Sequence, residues 1–257
     1  MSLHYQTFAR LHQQKELFIL PNAWNAQSAF QLQQTGFKAI GTSSAAVAKS
    51  LGYEDGEQMP FNSYLFIINR ILATINLPLS VDMEMGYGST GDEIYENICQ
   101  LYELGVAGIN IEDSQINASK RTLQDAGAFA KKLEHVATRL QGAGIALFIN
   151  VRCDAYLLQV ANTQAEAETR AKLYESSGAN GLFLPCISNE KDIQSAVAAT
   201  NLPINVMAIP QLPGFDALNQ LGVKRVSLGN FLFDNVYRNV QHTAAEIIKN
   251  KNVSPLF

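Results

Sequence analysis

Four acidic residues close two apolar segments of the chain: Asp82 and Glu84 in LPLSVDMEMGYG, and Glu112 and Asp113 in VAGINIEDS. A carboxylate at the end of an apolar strand is costly unless something pairs with it, so four at two strand ends imply a cation-binding pocket. Capping of the following helices, or a structural network with Arg152, is the alternative use of the same acids. The histidines, His4, His12, His135 and His242, all lie away from these segment ends. Oxygen donors alone select a hard divalent ion, Mg²⁺ first and Mn²⁺ second, over zinc. Lys38 and Lys224 precede apolar segments, so no lysine is placed to form a Schiff base with a carbonyl substrate.

The elements that must position these groups follow from the hydrophobic pattern. Short apolar runs near 17–20, 38–42, 78–84, 108–112, 146–152, 181–184, 203–207 and 225–228 alternate with amphipathic segments of helical length. Strands alternating with helices specify a parallel sheet, and eight such units specify a closed (β/α)8 barrel of the α/β class. ELGVAGINIE, SSGANGLFLP, QTGFKAIGTS and QLGVKRVSLG share a helix end, a glycine, three residues and an apolar strand. Gly36, Gly105, Gly178 and Gly222 are therefore expected in the left-handed conformation that ends a helix.

A chain of 257 residues, 47% apolar and 16% charged, suits one barrel domain spanning 1–257. The net charge of −4 comes from interspersed acids and bases with no basic face, which argues against nucleic acid or an anionic membrane as partner. A small molecule is the expected ligand. Neither a long apolar span nor a signal-peptide pattern is present, and the expected location is cytoplasmic. Cys99, Cys153 and Cys186 are odd in number and set in apolar segments, as reduced cytosolic thiols are.

In such a barrel the carboxyl ends of the strands carry function. Their residues here are chemically biased: Asn22 and Trp24, then Thr42, Ser43 and Ser44, then the four acids, Asn150, Arg152 and Asp154, and finally Asn205 and Asn230. The fixed fork of Arg152 can hold a carboxylate or phosphonate through two hydrogen bonds, although an ion pair to Glu112 or Asp154 would serve structure instead. The small residues Ser43, Ser44, Ala45 and Ala46 would let backbone N–H groups approach an anion closely, or simply pack tightly.

LPNAWNAQSA, AIGTSSAAVAKSLGYEDGE, VDMEMGYG, GINIEDS, INVRCDAY, GANGLFLP, INVM and VKRVSLG together resemble the phosphoenolpyruvate mutase/isocitrate lyase superfamily, in its order and spacing and over nearly the whole chain. The resemblance implies an α/β barrel, a homodimer or homotetramer, and a C-terminal barrel helix exchanged between neighbours. It further implies Mg²⁺ held, partly through water, by Asp55, Asp82, Glu84 and Glu112; Asp55 enters on resemblance alone. Substrate would meet Trp24, the Ser43–Ala45 backbone, Arg152 and Asn205, with Arg152, Asp55 and Glu112 closest to catalysis.

Departures from that pattern narrow the chemistry. The isocitrate-type lyases carry a KKCGH-like loop whose cysteine donates a proton; this chain reads INIEDSQINASKRTLQDAGAF there, without cysteine. The lysine-led lid of the mutases is not matched by Asn117-Ala118-Ser119-Lys120, and Pro185 stands where the mutases have histidine. The expected activity is Mg²⁺-dependent cleavage of a bond next to the carbonyl of a small 2-oxo acid through a metal-stabilised enolate, as a C–C lyase or an oxaloacetate-type decarboxylase. Phosphonopyruvate hydrolase or phosphonomutase chemistry comes second, and a non-catalytic 2-oxo acid binding protein third.

Overall fold

Parallel pairing carries the sheet from strand to strand until it closes. The computed structural model describes residues 2–117 and 120–257; Met1, Ala118 and Ser119 lie outside the described residues, so the Asn117–Lys120 comparison is covered only at its ends. The strands are β1 (Phe18–Leu20), β2 (Asn22–Ala23), β3 (Ile40–Thr42), β4 (Leu79–Asp82), β5 (Gly108–Glu112), β6 (Ser114–Asn117), β7 (Lys120–Leu123), β8 (Phe148–Arg152), β9 (Gly181–Leu184), β10 (Ile204–Met207) and β11 (Arg225–Ser227). The helices are α1 (Leu3–Gln13), α2 (Ala26–Gln34), α3 (Ser44–Ser50), α4 (Phe61–Leu72), α5 (Gly91–Leu104), α6 (Ala126–Gly142), α7 (Thr163–Ser176), α8 (Glu190–Ala199), α9 (Phe215–Leu221) and α10 (Phe231–Asn250).

Pro21 splits the first barrel strand into β1, which pairs with β11, and β2, which pairs with β3. Proline has no N–H to donate, and Asn22 bridges the break: its Nδ2 donates to Thr42 O at 2.8 Å, while its Oδ1 accepts from Leu228 N and Gly229 N. Counting β1 and β2 as one strand, the barrel has the expected eight. Most strands are a residue or two shorter than the apolar runs; β4 ends at Asp82, leaving Glu84 beyond it in the left-handed region at φ 50°. The antiparallel hairpin β6–β7 is an element the hydrophobic pattern did not show.

Helices start and stop where local chemistry dictates. Thr90 and Glu93 form a reciprocal capping box for α5, which ends on Gly105 at φ 97°. Gly36, Gly178 and Gly222 have the expected positive φ as well. In α4 the buried residues Tyr64, Ile68 and Ile71 recur at helical spacing and face the sheet. The amino-terminal end of the barrel is sealed by α1, where Phe8 packs edge-on against Phe18 and Phe148 and His12 stacks on Phe148 at 4.0 Å. No helix is long and apolar enough to cross a membrane among the described residues.

Candidate functional site

Side chains alternate along a strand, so the acids on one parity enter the barrel together. Register places Asp82 beside Asn110, Asn110 beside Asn150, and Glu112 beside Arg152. At the carboxyl ends these strands surround a cavity of about 260 Å³, lined by Ser43, Ser44, Ala45, Asp55, Asp82, Arg121 and Arg152 among others. Larger, shallower hollows of about 610 and 720 Å³ lie at the opposite end and lack this convergence of charged groups, so the smaller cavity is the site candidate.

Asp82 is partly buried at the cavity wall. Its Oδ2 accepts from Ser44 Oγ at 2.9 Å, and its backbone is held by Thr42 Oγ1 and Tyr64 Oη. Burial pushes its carboxyl upward, opposed by the charge of Arg152 and by Ser44. Glu84 sits behind the cavity: Oε2 accepts from Gly56 N and Glu57 N, and Oε1 from Tyr87 Oη. Burial first, then the charges of Asp55 and Asp82, push Glu84 up to about 7. Glu57, Glu84 and Tyr87 all hold positive φ without being glycine, a concentration of backbone strain where these two loops meet.

Glu112 is 1% exposed and meets two arginines. Its Oε1 accepts from Ser114 Oγ and Arg121 Nη1; its Oε2 lies 2.9 Å from Arg152 Nη1, an ion pair without the alignment of a hydrogen bond. Arg152 spends its fork on Asp154, Nε to Oδ1 at 2.6 Å and Nη2 to Oδ2 at 3.2 Å, so the structural pairing exists, yet the guanidinium still lines the cavity. Against the cost of burial, Asp154 and Asp82 hold its pKa above the ordinary arginine value.

Arg121, on β7, is the group that strand-end reasoning missed. It reaches from the hairpin to Glu112, lies 3.6 Å from both Asp55 and Asp154, and donates to Ser114 Oγ at 2.7 Å. Its hairpin carries no apolar pattern to mark it. Ile116 of the same hairpin fills the space beside Gly56, where a Cβ would fall 2.3 Å from its Cδ1, so the Asp55 loop and the hairpin are packed together.

Other expected residues lie elsewhere. Asp113 has the opposite parity to Glu112 and points outward, accepting from Arg170 Nη1, Tyr174 Oη and the backbone of Asp154. Trp24 packs edge-on against Phe233 and does not line the cavity. Asn205 lies beneath the cavity and accepts from Ser227 Oγ. Cys153 is fully buried and does not line the cavity, and burial and Asp113 push its thiol well up.

The expected metal cluster is not formed by direct convergence: among the described residues no three His, Cys, Asp or Glu side chains are arranged to hold one ion. Guanidinium groups take part of that role, Arg121 between Asp55, Glu112 and Asp154 and Arg152 between Glu112 and Asp154. The donors still fit a hydrated, hard divalent cation. All are oxygens, and Glu84, raised chiefly by burial and further by the charges of Asp55 and Asp82, has no arginine paired with it among the described residues.

The sequence profile described as phosphoenolpyruvate phosphomutase matches residues 8–248. An uncharacterised protein of Mycobacterium tuberculosis H37Rv is 34% identical over 87% of this chain and 82% of its own length. The 2-methylisocitrate lyase of Escherichia coli K12 is 32% identical over 70% of this chain and 61% of its own. A solved protein of Burkholderia cenocepacia J2315, provisionally described as a phosphonomutase, superposes with a TM-score of 0.86 at 30% identity, covering 97% of this chain and 98% of its own.

Proposed function

We propose that this chain, which belongs to the phosphoenolpyruvate phosphomutase family and is an enzyme of the lyases and mutases around it, cleaves a carbon–carbon bond next to the carbonyl of a small 2-oxo dicarboxylic acid, oxaloacetate or a close relative, with Mg²⁺. The observation that carries this reading is a second cation. Arg121 joins Arg152 in one small cavity, so an acid with two negatively charged ends finds a guanidinium for its distal end while the other end meets the Ser43–Ala45 backbone.

Asp82 would hold the cation, with Asp55, Glu84 and Glu112 acting through water; when bound, the ion supplies positive charge for the oxo-acid oxygens as the bond breaks. The chain's own residues do the rest. Ala45 N–H lies in the first turn of α3, outside the helical hydrogen bonds, and is available to a carboxylate oxygen. Asp154 orients Arg152 through two bonds, and Ser44 orients Asp82. Loss of CO₂ from an acid bearing a 3-carboxylate needs no positioned thiol, because the product can take its proton from water, and the cavity offers no thiol.

A phosphonate would offer Arg121 and Arg152 a dianion too, but Pro185 in the cavity wall supplies no proton. For assembly, α10 leaves Val236, Tyr237 and Val240 exposed, which supports self-association as a homodimer or homotetramer with this helix exchanged. The test is incubation of pyruvate, oxaloacetate, 2-oxoglutarate, phosphonopyruvate and methylisocitrate with enzyme and Mg²⁺, followed by NMR for product. Turnover of oxaloacetate above its metal-catalysed background supports the reading; turnover confined to phosphonopyruvate or methylisocitrate refutes it.

A further inference from the structure

Arg225 lies inside the barrel on β11, 1% exposed, with the ring of Phe8 beneath its guanidinium. Among the described residues its hydrogen bonds go only to neutral groups, Nε to Ser227 Oγ at 3.1 Å and Nη2 to Asn110 Oδ1 at 3.2 Å, and its buried Nη1 has no partner. A cation kept there without a bonded acid works against stability, so its retention calls for a use.

That use follows from hydrogen-bond polarity. A guanidinium only donates, so every neighbour must turn an oxygen toward it. The Oδ1 of Asn110 accepts from Arg225 and also from Asn150 Nδ2 at 2.9 Å. With its oxygen committed downward, Asn110 has only its Nδ2 left to offer, and Asn110 lines the cavity. A second chain repeats the pattern: Arg225 Nε donates to Ser227 Oγ, which donates to Asn205 Oδ1 at 3.1 Å, leaving Asn205 Nδ2 buried and unpartnered. Gly181 makes room for this layer, since a Cβ there would fall 2.7 Å from Asn150 Oδ1.

We propose that Arg225 is a positioning residue that sets the hydrogen-bond polarity of the cavity floor, turning the Asn110 amide so that its N–H groups face a carboxylate oxygen of the bound acid. The inference rests on the reading of the cavity as a 2-oxo acid site. It adds a determinant one layer below the charged rim: the Asn110 N–H groups, backed by a buried positive charge, favour an anionic acceptor over a neutral amide.

The test uses oxalate as probe, titrated calorimetrically into the full-length protein with Mg²⁺, beside thermal melts of each variant. Arg225→Met should melt no lower than the wild type, because a buried charge is removed, yet bind oxalate about tenfold or more weakly; Arg225→Lys should restore part of that affinity. Asn110→Asp, whose new carboxylate pairs with Arg225 and keeps the fold, should lose oxalate binding because an anion now faces the ligand. Wild-type affinity per folded molecule in Arg225→Met, or in Asn110→Asp, overturns the inference while leaving the oxo-acid reading in place. Absence of oxalate binding by the wild type defeats that reading, and the inference falls with it.

Discussion

Replacing Arg121 with glutamine removes the cation that the hairpin delivers to Glu112, Asp55 and Asp154. Removing one partner of a buried ion pair costs ~3–5 kcal/mol, because the other charge is left uncompensated. Glu112 keeps Arg152 and Ser114 as neighbours, which places the expected loss at the lower end of that range. A loss of ~3 kcal/mol corresponds to a fall in melting temperature of roughly 6–12 °C for a chain of this size. A divalent ion can replace the missing charge: Mg²⁺ at about 100 times its Kd contributes ~2.7 kcal/mol, nearly the whole deficit. In the wild type Arg121 opposes the ion, so the gain there should be smaller. Differential scanning fluorimetry of both proteins, in EDTA and in a Mg²⁺ series, provides the assay. The reasoning is refuted if the variant melts with the wild type in EDTA, or if Mg²⁺ raises both melting temperatures equally.

Further outcomes follow from other residues. Arg152→Lys keeps charge but loses the two-pronged hold on Asp154, and kcat/KM for oxaloacetate should fall by about one to two powers of ten; unchanged activity would make the arginine purely structural. The triple variant Cys99→Ser, Cys153→Ser, Cys186→Ser should keep its activity per folded molecule; loss of turnover in Cys153→Ser alone, with metal binding intact, would return a thiol to the mechanism. Burial and the charge of Arg225 hold His12 at about 3, against an ordinary value of 6.5. Between those values the unfolded chain binds more protons than the folded one, so stability rises with pH across the window and is lost below 6.5. The expected loss is about 2 kcal/mol from pH 6.5 to pH 5. His12→Gln should flatten that part of a urea-denaturation pH profile, and an unaltered slope would contradict a neutral buried imidazole.

The barrel was legible because apolar strand and amphipathic helix alternate without interruption, and because helix-ending glycines recur at fixed distance before a strand. The convergence of Asp82, Glu112 and Arg152 was legible because strand ends of such a barrel point at one place. Asp113 was misplaced with them although strand parity, applied strictly, sends it to the opposite face from Glu112. Arg121 escaped because its hairpin is polar and antiparallel, so neither hydrophobic period nor strand order marks it. Arg225 escaped for another reason: a charged residue opening an apolar strand reads as an edge group, and only the closed barrel shows that its parity points inward, in line with Ser227. The bidentate hold of Asp154 on Arg152 could be weighed in advance as an alternative, but the choice of partner depends on side-chain geometry that strand spacing does not determine.

The central claim is that two guanidinium groups and an oxygen-donor metal site serve a 2-oxo dicarboxylic acid. Its most direct test is kcat/KM for oxaloacetate, corrected for metal-catalysed background, against kcat/KM for phosphonopyruvate at the same Mg²⁺ concentration. A higher value for oxaloacetate, abolished by chelation, is predicted; a higher value for phosphonopyruvate, or oxaloacetate turnover no faster than background, would contradict the account.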